Sequence, residues 1–332
     1  MNARPKLVLH LGANKTGSSA IQTSLALNVI ALRDRGFIVP NANFEVADKI
    51  DGHHVWVMGR LLQNPVEGRE TLRNALAKLA GRSSETTVIL SAENLAAHPE
   101  APAMFRGIED ICDTRVILYV RRQDDYLLSS WQQWNSKVNN DFWAWLITNV
   151  GTVGDWRSYL QNWERVFPQA AITVRVFERP RLARNDVVAD FYSWLGLSEA
   201  SEAFEQPPKD VNPSFNDAIV DLVSGSKVVF ENVHDNGFYN FVRELTGDAY
   251  LKQSRDSMIS DAQRRAILSR YEEGNKWVAA RYLPDEAGPL FMPVGRSNFV
   301  HKNAETIQKE QMRFLATVVY QLYQQQKKPG HG

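Results

Sequence analysis

The stretch that decides the fold is Lys6-Leu-Val-Leu-His-Leu-Gly-Ala-Asn-Lys-Thr-Gly-Ser-Ser19, near the start of the chain. Its first six residues are mostly apolar and stop at Gly12, which is the pattern of a short buried strand. From Ser18 onward the apolar residues recur near helical spacing until Gly36, a residue type that commonly ends helices. The stretch therefore predicts a strand, a loop and a helix in succession.

The same alternation of short apolar runs and helical patterns continues along the first two hundred residues. Further buried strands are predicted at residues 37–39, 87–90, 115–120 and 171–177. Helices are predicted at residues 71–80, 103–111 and 186–195, with an aromatic helical stretch over 124–163. Strands separated by helices imply an α/β fold, a parallel sheet flanked by helices. The glycine-containing loop between the first strand and the first helix makes the nucleotide-loop (P-loop) type the expected form of this fold.

A boundary is predicted near residue 200. Residues 205–209 read Glu-Gln-Pro-Pro-Lys, and two prolines deny both helix continuation and strand pairing. Beyond them the apolar spacing is helical, as in residues 261–282 and 303–325. We predict an α/β core over 1–200 and a C-terminal helical cap over 201–332, packed on the carboxyl edge of the sheet.

Composition narrows the classes of function. The chain of 332 residues has 38 Lys and Arg against 38 Asp and Glu, so no basic excess draws it to nucleic acid or to an anionic membrane. One cysteine, Cys112, excludes an internal disulfide and a thiolate zinc cage, and it fits the reducing cytoplasm. No apolar run is long enough for a transmembrane span, and the histidines show no metal-ligand spacing. We therefore expect a cytoplasmic protein without a metal.

The loop Gly12 to Ser19 is a variant of the phosphate-binding loop G-x-x-x-x-G-K-[ST]. Gly12 and Gly17 keep the glycine spacing, whereas Ser18 takes the lysine position and the lysine stands inside the loop as Lys15. A standard loop also needs an acidic residue on a neighbouring strand to hold Mg²⁺. Here the strand at 115–120 runs into two arginines, a better match for a phosphate than for a metal.

A second candidate anion site begins at those arginines. Arg121 ends a predicted strand, and Ser129 follows eight residues later in the next helix, so that a guanidinium and a hydroxyl can share one phosphate.

Together these motifs resemble the sulfotransferases that use 3′-phosphoadenylyl sulfate (PAPS), especially the bacterial carbohydrate type. Residues 14–19 match the family's P-K-[ST]-G-[ST]-[ST] signature except that Asn14 replaces proline. Arg121, Asp125 and Ser129 fit the register of its second signature. A weaker landmark, D-F-x-x-x-L-G-L after a strand and an acidic residue, appears at residues 190–197. The resemblance covers residues 6 to 200.

The resemblance implies a donor site and a reaction. The first loop, through Gly12, Lys15, Thr16, Gly17, Ser18 and Ser19, would bind the 5′-phosphosulfate, and Arg121 with Ser129 would bind the 3′-phosphate. Sulfuryl would pass in line to a hydroxyl or amine of a polar acceptor, a carbohydrate or glycolipid, leaving adenosine 3′,5′-bisphosphate and using no metal. Lys15 is the candidate for stabilising the leaving phosphate oxygen.

The general base has three candidates. Glu93 lies just past the strand at 87–90, where open α/β sheets place their ligands. His53 and His54 compete with it, because imidazole titrates near neutral pH. Each of the three also suits a structural role.

Two other functions stay open, and so does the role of a cluster of tryptophans. A kinase or NTPase with a degenerate loop is opposed by the displaced lysine, whereas a non-catalytic PAPS-binding module would need no base. Six of the nine tryptophans fall between residues 131 and 163, where packing is favoured over a sugar-binding wall.

Overall fold

The computed structural model describes residues 4–80, 86–208, 216–247, 249–250, 258–295 and 302–327. Its centre is a sheet of five strands: β1 Lys6–Leu11, β2 Phe37–Ile38, β3 Thr87–Ala92, β4 Asp113–Val120 and β5 Ile172–Val176. The strands are all parallel, in the order β2-β3-β1-β4-β5. The predicted α/β fold with a parallel sheet flanked by helices is confirmed.

Helices fill the connections and the C-terminal part of the chain. They are α1 Ser18–Leu27, α2 Val29–Arg33, α3 Val55–Leu62, α4 Pro65–Ala80, α5 Ala101–Met104, α6 Gln123–Gln133, α7 Phe142–Asn149, α8 Trp156–Glu164, α9 Val187–Trp194, α10 Asp217–Val223, α11 Gly237–Thr246, α12 Asp261–Ser269, α13 Glu272–Tyr282 and α14 Ala304–Lys327. Short 3-10 helices span Ile108–Asp110, Asn135–Lys137, Gln169–Ala171, Arg179–Arg181, Ala183–Asn185 and Ala200–Ala203.

The chain divides into two compact units. The first comprises Met1–Arg122, Asp155–Val211 and Glu272–Met292, and the second comprises Gln123–Gly154, Asn212–Tyr271 and Pro293–Gly332. These bounds differ from a single division near residue 200. One reason is that α13 packs on α8 of the first unit, where Tyr282 donates a hydrogen bond of 2.5 Å to Glu164. The division into 1–200 and 201–332 stays a prediction.

The core of the first unit lies between the sheet and the helices α1 and α9. The central strand β1 is buried from Leu7 to Leu11, as its apolar run predicts. The buried residues that pack together here come from four strands or strand ends and from both helices: Val8, Ile21, Leu25, Val39, Ile89, Ile117, Val187, Val188 and Phe191. Removal of these side chains from water, at about 1.5–3 kcal/mol for each large one, holds the helices on the sheet.

A polar triad around the buried carboxylate of Asp190 ties β4 and β5 to α9. The Tyr119 hydroxyl donates to Oδ2 of Asp190 at 2.8 Å, and Arg175 forms an ion pair with the same carboxylate. Burial, together with the charge of Asp190, raises the pKa of Tyr119. Asp190 is the first residue of the D-F-x-x-x-L-G-L landmark, so this carboxylate acts in the fold as an anchor between strand and helix.

The second unit has two hydrophobic clusters and one buried ion cluster. The first hydrophobic cluster joins α6, α7 and α12, and the second joins α10, α11 and α14. Arg264 of α12 is buried and pairs with Asp124 at 2.7 Å and Asp125 at 3.0 Å, which fixes α12 on the start of α6. A buried charge is tolerated here because it is paired on two sides.

Three of the six tryptophans between residues 131 and 163 belong to the two cores. Trp131, Trp156 and Trp163 are almost fully buried, whereas Trp143 is exposed. Trp131 packs against Phe142 within the second unit, and Trp163 stacks on Phe167 within the first. The three buried rings therefore have the packing role that the sequence favoured.

Candidate anion-binding site at the switch point of the sheet

The site lies where the strand order reverses. β1 stands between β3 and β4, and Leu11 pairs with Ala92 on one side and Leu118 on the other. Because parallel strands end at the same edge, the segments that follow these three strands converge. Open α/β sheets bind ligands at such a switch point. The segments carry Lys15, Glu93 and Arg121.

The loop after β1 is fixed by its own backbone. The Gly12 amide donates to the carbonyl of Ala92 at 3.1 Å, and the Thr16 hydroxyl donates to the carbonyl of Ala13 at 2.6 Å. Lys15 and Gly17 both have left-handed backbone angles, with φ of 62° and 83°. Two such residues turn the chain sharply into α1, as in backbone nests that bind anions.

Gly17 also allows close packing of the loop. A Cβ atom at this position would lie 2.7 Å from Cγ1 of Val187 and 2.9 Å from the ring of Phe177. The loop therefore rests directly on the segment after β5 and on the start of α9, which only a residue without a side chain permits.

The start of α1 contributes backbone donors. Gly17 precedes the helix and gives no side-chain cap, and the amides of Ser18 and Ser19 have no carbonyl within the helix to donate to. The helix dipole adds a partial positive charge at this end. Both effects favour a bound phosphate or sulfate.

Lys15 supplies the charge inside the loop. Burial, and secondarily the positive charge of Arg121, lowers the pKa of Lys15 to about 8, against an opposing effect of Glu93. Arg121 Nη1 donates a hydrogen bond of 2.7 Å to the Lys15 carbonyl, and the Arg121 carbonyl accepts from the Trp156 indole at 2.9 Å. The side chain of Arg121, just after β4, therefore holds the loop by a hydrogen bond to the backbone of Lys15.

Glu93 is held by the hydroxyls that begin α1. Its Oε1 accepts a hydrogen bond from Ser18 Oγ at 2.5 Å and another from Ser19 Oγ at 3.3 Å. The carboxylate and the loop serines thus form one group, with Lys15 near enough for its pKa to respond to the Glu93 charge.

His54 is built into the protein interior. Its Nε2 lies 3.0 Å from the Pro40 carbonyl, and the Ser91 amide donates to Nδ1 at 3.1 Å. Because a carbonyl only accepts, Nε2 carries the proton in this arrangement. Burial lowers the pKa of His54 to about 4. The two ring nitrogens therefore join the segment before α3 to β3, through Ser91, and to Pro40 after β2.

His53 belongs to the same segment but has a different environment. It is partly buried, and its Nδ1 is a buried atom without a hydrogen-bond partner in the described part of the chain. The preceding Gly52 approaches α1 so closely that a Cβ there would lie 1.9 Å from the Gln22 carbonyl oxygen. The segment carrying both histidines is therefore seated on the helix that follows the loop.

Ser129 lies on α6 and is partly buried. It belongs to the second unit, whereas Arg121 belongs to the first. Their shared contact with one phosphate stays a prediction.

Sequence reasoning missed one segment beside the site. Both carboxylate oxygens of Glu178 accept from the Met292 amide, at 3.0 and 3.2 Å, and Arg181 donates to the Leu290 carbonyl at 2.5 Å. This segment, residues 290–292, lies against the end of β5 within the first unit. Its partners are more than a hundred residues away, and no spacing in the sequence signals the contact.

Two further findings on the described residues concern metal sites and membrane-spanning helices. Within the ranges given above, no group of three or more His, Cys, Asp or Glu side chains is placed to hold a metal ion. No helix in those ranges is both long and apolar enough to cross a membrane.

Comparisons with known proteins add two likenesses. No family model matches the sequence. An uncharacterised protein of Archaeoglobus fulgidus is 33% identical over 113 residues, which are 34% of this chain and 30% of the archaeal protein, so the match spans less than a third of that relative. The crystal structure of a sulfotransferase from Alicyclobacillus acidocaldarius aligns over 82% of this chain and 95% of its own, with a TM-score of 0.38 and 15% identity.

Proposed function

We propose that the protein is a sulfotransferase that moves a sulfuryl group from PAPS to a hydroxyl or amine of a polar acceptor. The observation that carries the proposal is the convergence of Lys15, Glu93 and Arg121 at the switch point of a parallel sheet. These residues supply a cation within an anion-binding loop, an adjacent carboxylate and a second cation. The three groups match the needs of an in-line transfer of sulfuryl from a phosphate oxygen to an oxygen or nitrogen atom of the acceptor.

The first loop fits the 5′-phosphosulfate end of the donor. The amides at the start of α1 and the left-handed turn at Lys15 provide donors to anionic oxygens, while the hydroxyls of Thr16 and Ser19 brace the loop by donating to the Ala13 carbonyl and to Glu93. Lys15 would stabilise the negative charge that develops on the leaving phosphate oxygen as the bond to sulfur breaks. PAPS supplies the activated sulfuryl group, and its product is adenosine 3′,5′-bisphosphate.

Arg121 would meet the 3′-phosphate, with Ser129 as its partner. A guanidinium recognises a phosphate through two parallel N–H donors, whereas its Nη1 contact with the Lys15 carbonyl links it to the first loop. We therefore expect the two ends of the donor to be recognised together.

We assign the general base to Glu93. Its carboxylate stands beside the loop serines and accepts protons by nature, so it can take the proton of the attacking hydroxyl or amine as the new bond to sulfur forms. His54 is buried with both nitrogens bonded, and an Nε2 that donates to a carbonyl cannot accept a substrate proton. His53 keeps a lesser claim, since its Nδ1 has no partner among the described residues.

A saccharide or glycolipid is the acceptor class that we propose, and it rests on the family resemblance of the two motifs. A second candidate function is a module that binds PAPS or its product without transferring sulfuryl. The observation that favours it is the engagement of Glu93 by Ser18 and Ser19, which would leave the carboxylate as an anchor for the loop.

Calorimetry and a transfer assay test the proposal. Adenosine 3′,5′-bisphosphate is titrated without metal, and ATP is titrated with Mg²⁺ as the comparison. Tighter binding of the bisphosphate is expected, and preference for Mg-ATP would overturn the proposal in favour of a kinase or NTPase. Transfer of radiolabelled sulfuryl from PAPS to a panel of saccharides then separates the enzyme from the binding module, since the module binds without turnover.

A further inference from the structure

The last helix, α14, has an inner face that is already used. Phe314 is buried in the cluster with α10 and α11. Beside it, Gln311 donates to the Ala218 carbonyl at 3.2 Å, and Thr317 bonds the Tyr250 hydroxyl at 2.8 Å. These contacts fix which side of the helix is turned toward its own unit.

A second face of α14 is apolar and exposed. Met312, Leu315, Val319 and Leu322 have exposures of 65%, 41%, 66% and 37%. They are spaced by three, four and three residues, which is the repeat of helices that pack along one another. Exposed glutamines extend the same spacing at both ends, Gln308 before and Gln326 after. We call these six positions the 308–326 seam.

The seam is symmetric about residue 317. When it is read backwards, Gln308 takes the place of Gln326, Met312 that of Leu322, and Leu315 that of Val319. An antiparallel copy of the same helix would therefore set amide against amide at the ends and apolar against apolar in the middle. Self-matching of one patch is what a two-fold symmetric interface requires.

Charge favours the same orientation. The seam positions carry no charged residue, the first turn of α14 carries Glu305 and the last turn carries Lys327. Glu305 is already paired with Lys309 of the same helix, so the electrostatic preference comes from the helix dipoles, which attract each other when the two helices are antiparallel. At about 1.5 Å per residue the helix is about 36 Å long, so the contact runs over several turns.

We propose that the 308–326 seam is a homodimer interface, occupied by the same helix of a second copy in antiparallel orientation. This covers an apolar stripe that a monomer would leave in water. The proposal is independent of the chemistry at the sheet edge.

The first test is the molar mass of the full chain by light scattering across a range of protein concentrations. A dimer of twice 37.7 kDa is expected. The variant Leu315→Glu with Val319→Glu should weaken the dimer at least tenfold, because it buries four charges. Tyr320→Glu is the matched control, since Tyr320 is exposed on α14 but outside the seam. Circular dichroism checks that each variant is folded.

The second test determines the orientation. Cys112 is buried, so a cysteine introduced on α14 is the reactive one. Mixing Gln308→Cys with Gln326→Cys should give a cross-linked mixed dimer, while either variant alone should cross-link little, because its two thiols would lie about 27 Å apart. A monomer at all concentrations, a dimer that survives both glutamates, or cross-linking of like variants only would overturn the proposal. Binding of the seam to another protein or to vesicles by a monomeric chain would overturn it as well.

Discussion

Ser18 Oγ and Glu93 Oε1 are 2.5 Å apart, although 75 residues separate them in sequence. This hydrogen bond joins the first residue of α1 to the residue that follows β3. In the proposed reaction, the residue that helps to hold the donor is therefore bonded to the residue that accepts the proton from the acceptor. A change that breaks this hydrogen bond therefore reaches both halves of the site.

The first prediction concerns Glu93. Glu93→Gln keeps the size and one hydrogen-bond acceptor but removes the basic oxygen, so turnover should fall by about two orders of magnitude or more. Binding of adenosine 3′,5′-bisphosphate should change little. Single-turnover transfer from PAPS and calorimetry measure the two effects. Glu100→Gln, an exposed acid further along the same connection, is the control and should keep its activity. Normal turnover of Glu93→Gln would assign the base elsewhere.

The second prediction concerns the charge of Lys15. Because its pKa is lowered to about 8, the ammonium is lost as the pH rises through that value, and the free loop loses attraction for anions. Affinity for adenosine 3′,5′-bisphosphate should fall by up to about tenfold for each pH unit above 8. Calorimetry from pH 7 to 9.5 measures this. Lys15→Met should bind weakly at every pH without that dependence, while Lys49→Met, at an exposed site, should retain it. An unchanged pH profile in Lys15→Met would refute the assignment.

The third prediction separates strain from contact at Gly17. Gly17→Ala adds a Cβ atom 2.7 Å from Val187 at a φ of 83°, so both the backbone conformation and the packing are disturbed. Gly196→Ala is a matched control, because Gly196 has a φ of 81° and nothing within 4 Å of the added atom. The control should lose about 1–2 kcal/mol of stability from backbone strain. Gly17→Ala should lose more and should also lose bisphosphate affinity; equal effects of the two substitutions would mean that the contact is unimportant.

The fourth prediction is a loss of stability in mild acid. Burial lowers the pKa of His54 to about 4 and that of His10 to about 3, whereas an unfolded histidine titrates near 6.5. Below pH 6.5 the two histidines bind protons in the unfolded chain but not in the folded one, so acid favours unfolding. Each histidine should cost about 1 kcal/mol per pH unit down to about its folded pKa.

Denaturant unfolding at pH 7 and pH 5 measures this loss. His54→Gln should be less stable than the unmodified chain at pH 7 but should lose less on acidification. His234→Gln, at an exposed position, should behave like the unmodified chain. If His54→Gln loses as much stability as the unmodified chain between the two pH values, the buried neutral imidazole is not the cause.

The strands and the first loop were predictable because their sequence patterns are local. A buried parallel strand is apolar throughout, and Gly12 marks the end of β1 where its run stops. The aromatic helical stretch over 124–163 comprises three α-helices, α6, α7 and α8, and the short 3-10 helix Asn135–Lys137. Gly151 and Gly154, with φ of 92° and 80°, make the turn before α8.

The partners within the candidate site were not predictable, because they come from distant parts of the chain. The hydrogen bond from Arg121 to the Lys15 carbonyl uses a backbone atom, which no residue type reveals. A histidine next to a βα unit suits a base as well as a structural link, and only the positions of Pro40 and Ser91 distinguish the two roles for His54. The residue type indicates which reactions a side chain can take part in, and the fold determines whether its polar atoms are already bonded to other parts of the protein.

Gly52 has a practical consequence for anyone who wishes to change acceptor choice by directed evolution. The segment with His53 and His54 is a natural region to randomise, yet its first residue touches the main chain of α1 with no room for even a methyl group. Any side chain at position 52 would push the segment and the helix apart, and with the helix would move the loop that begins it. A library over this region should hold residue 52 constant, so that its variants report on the acceptor and not on damage to the donor loop.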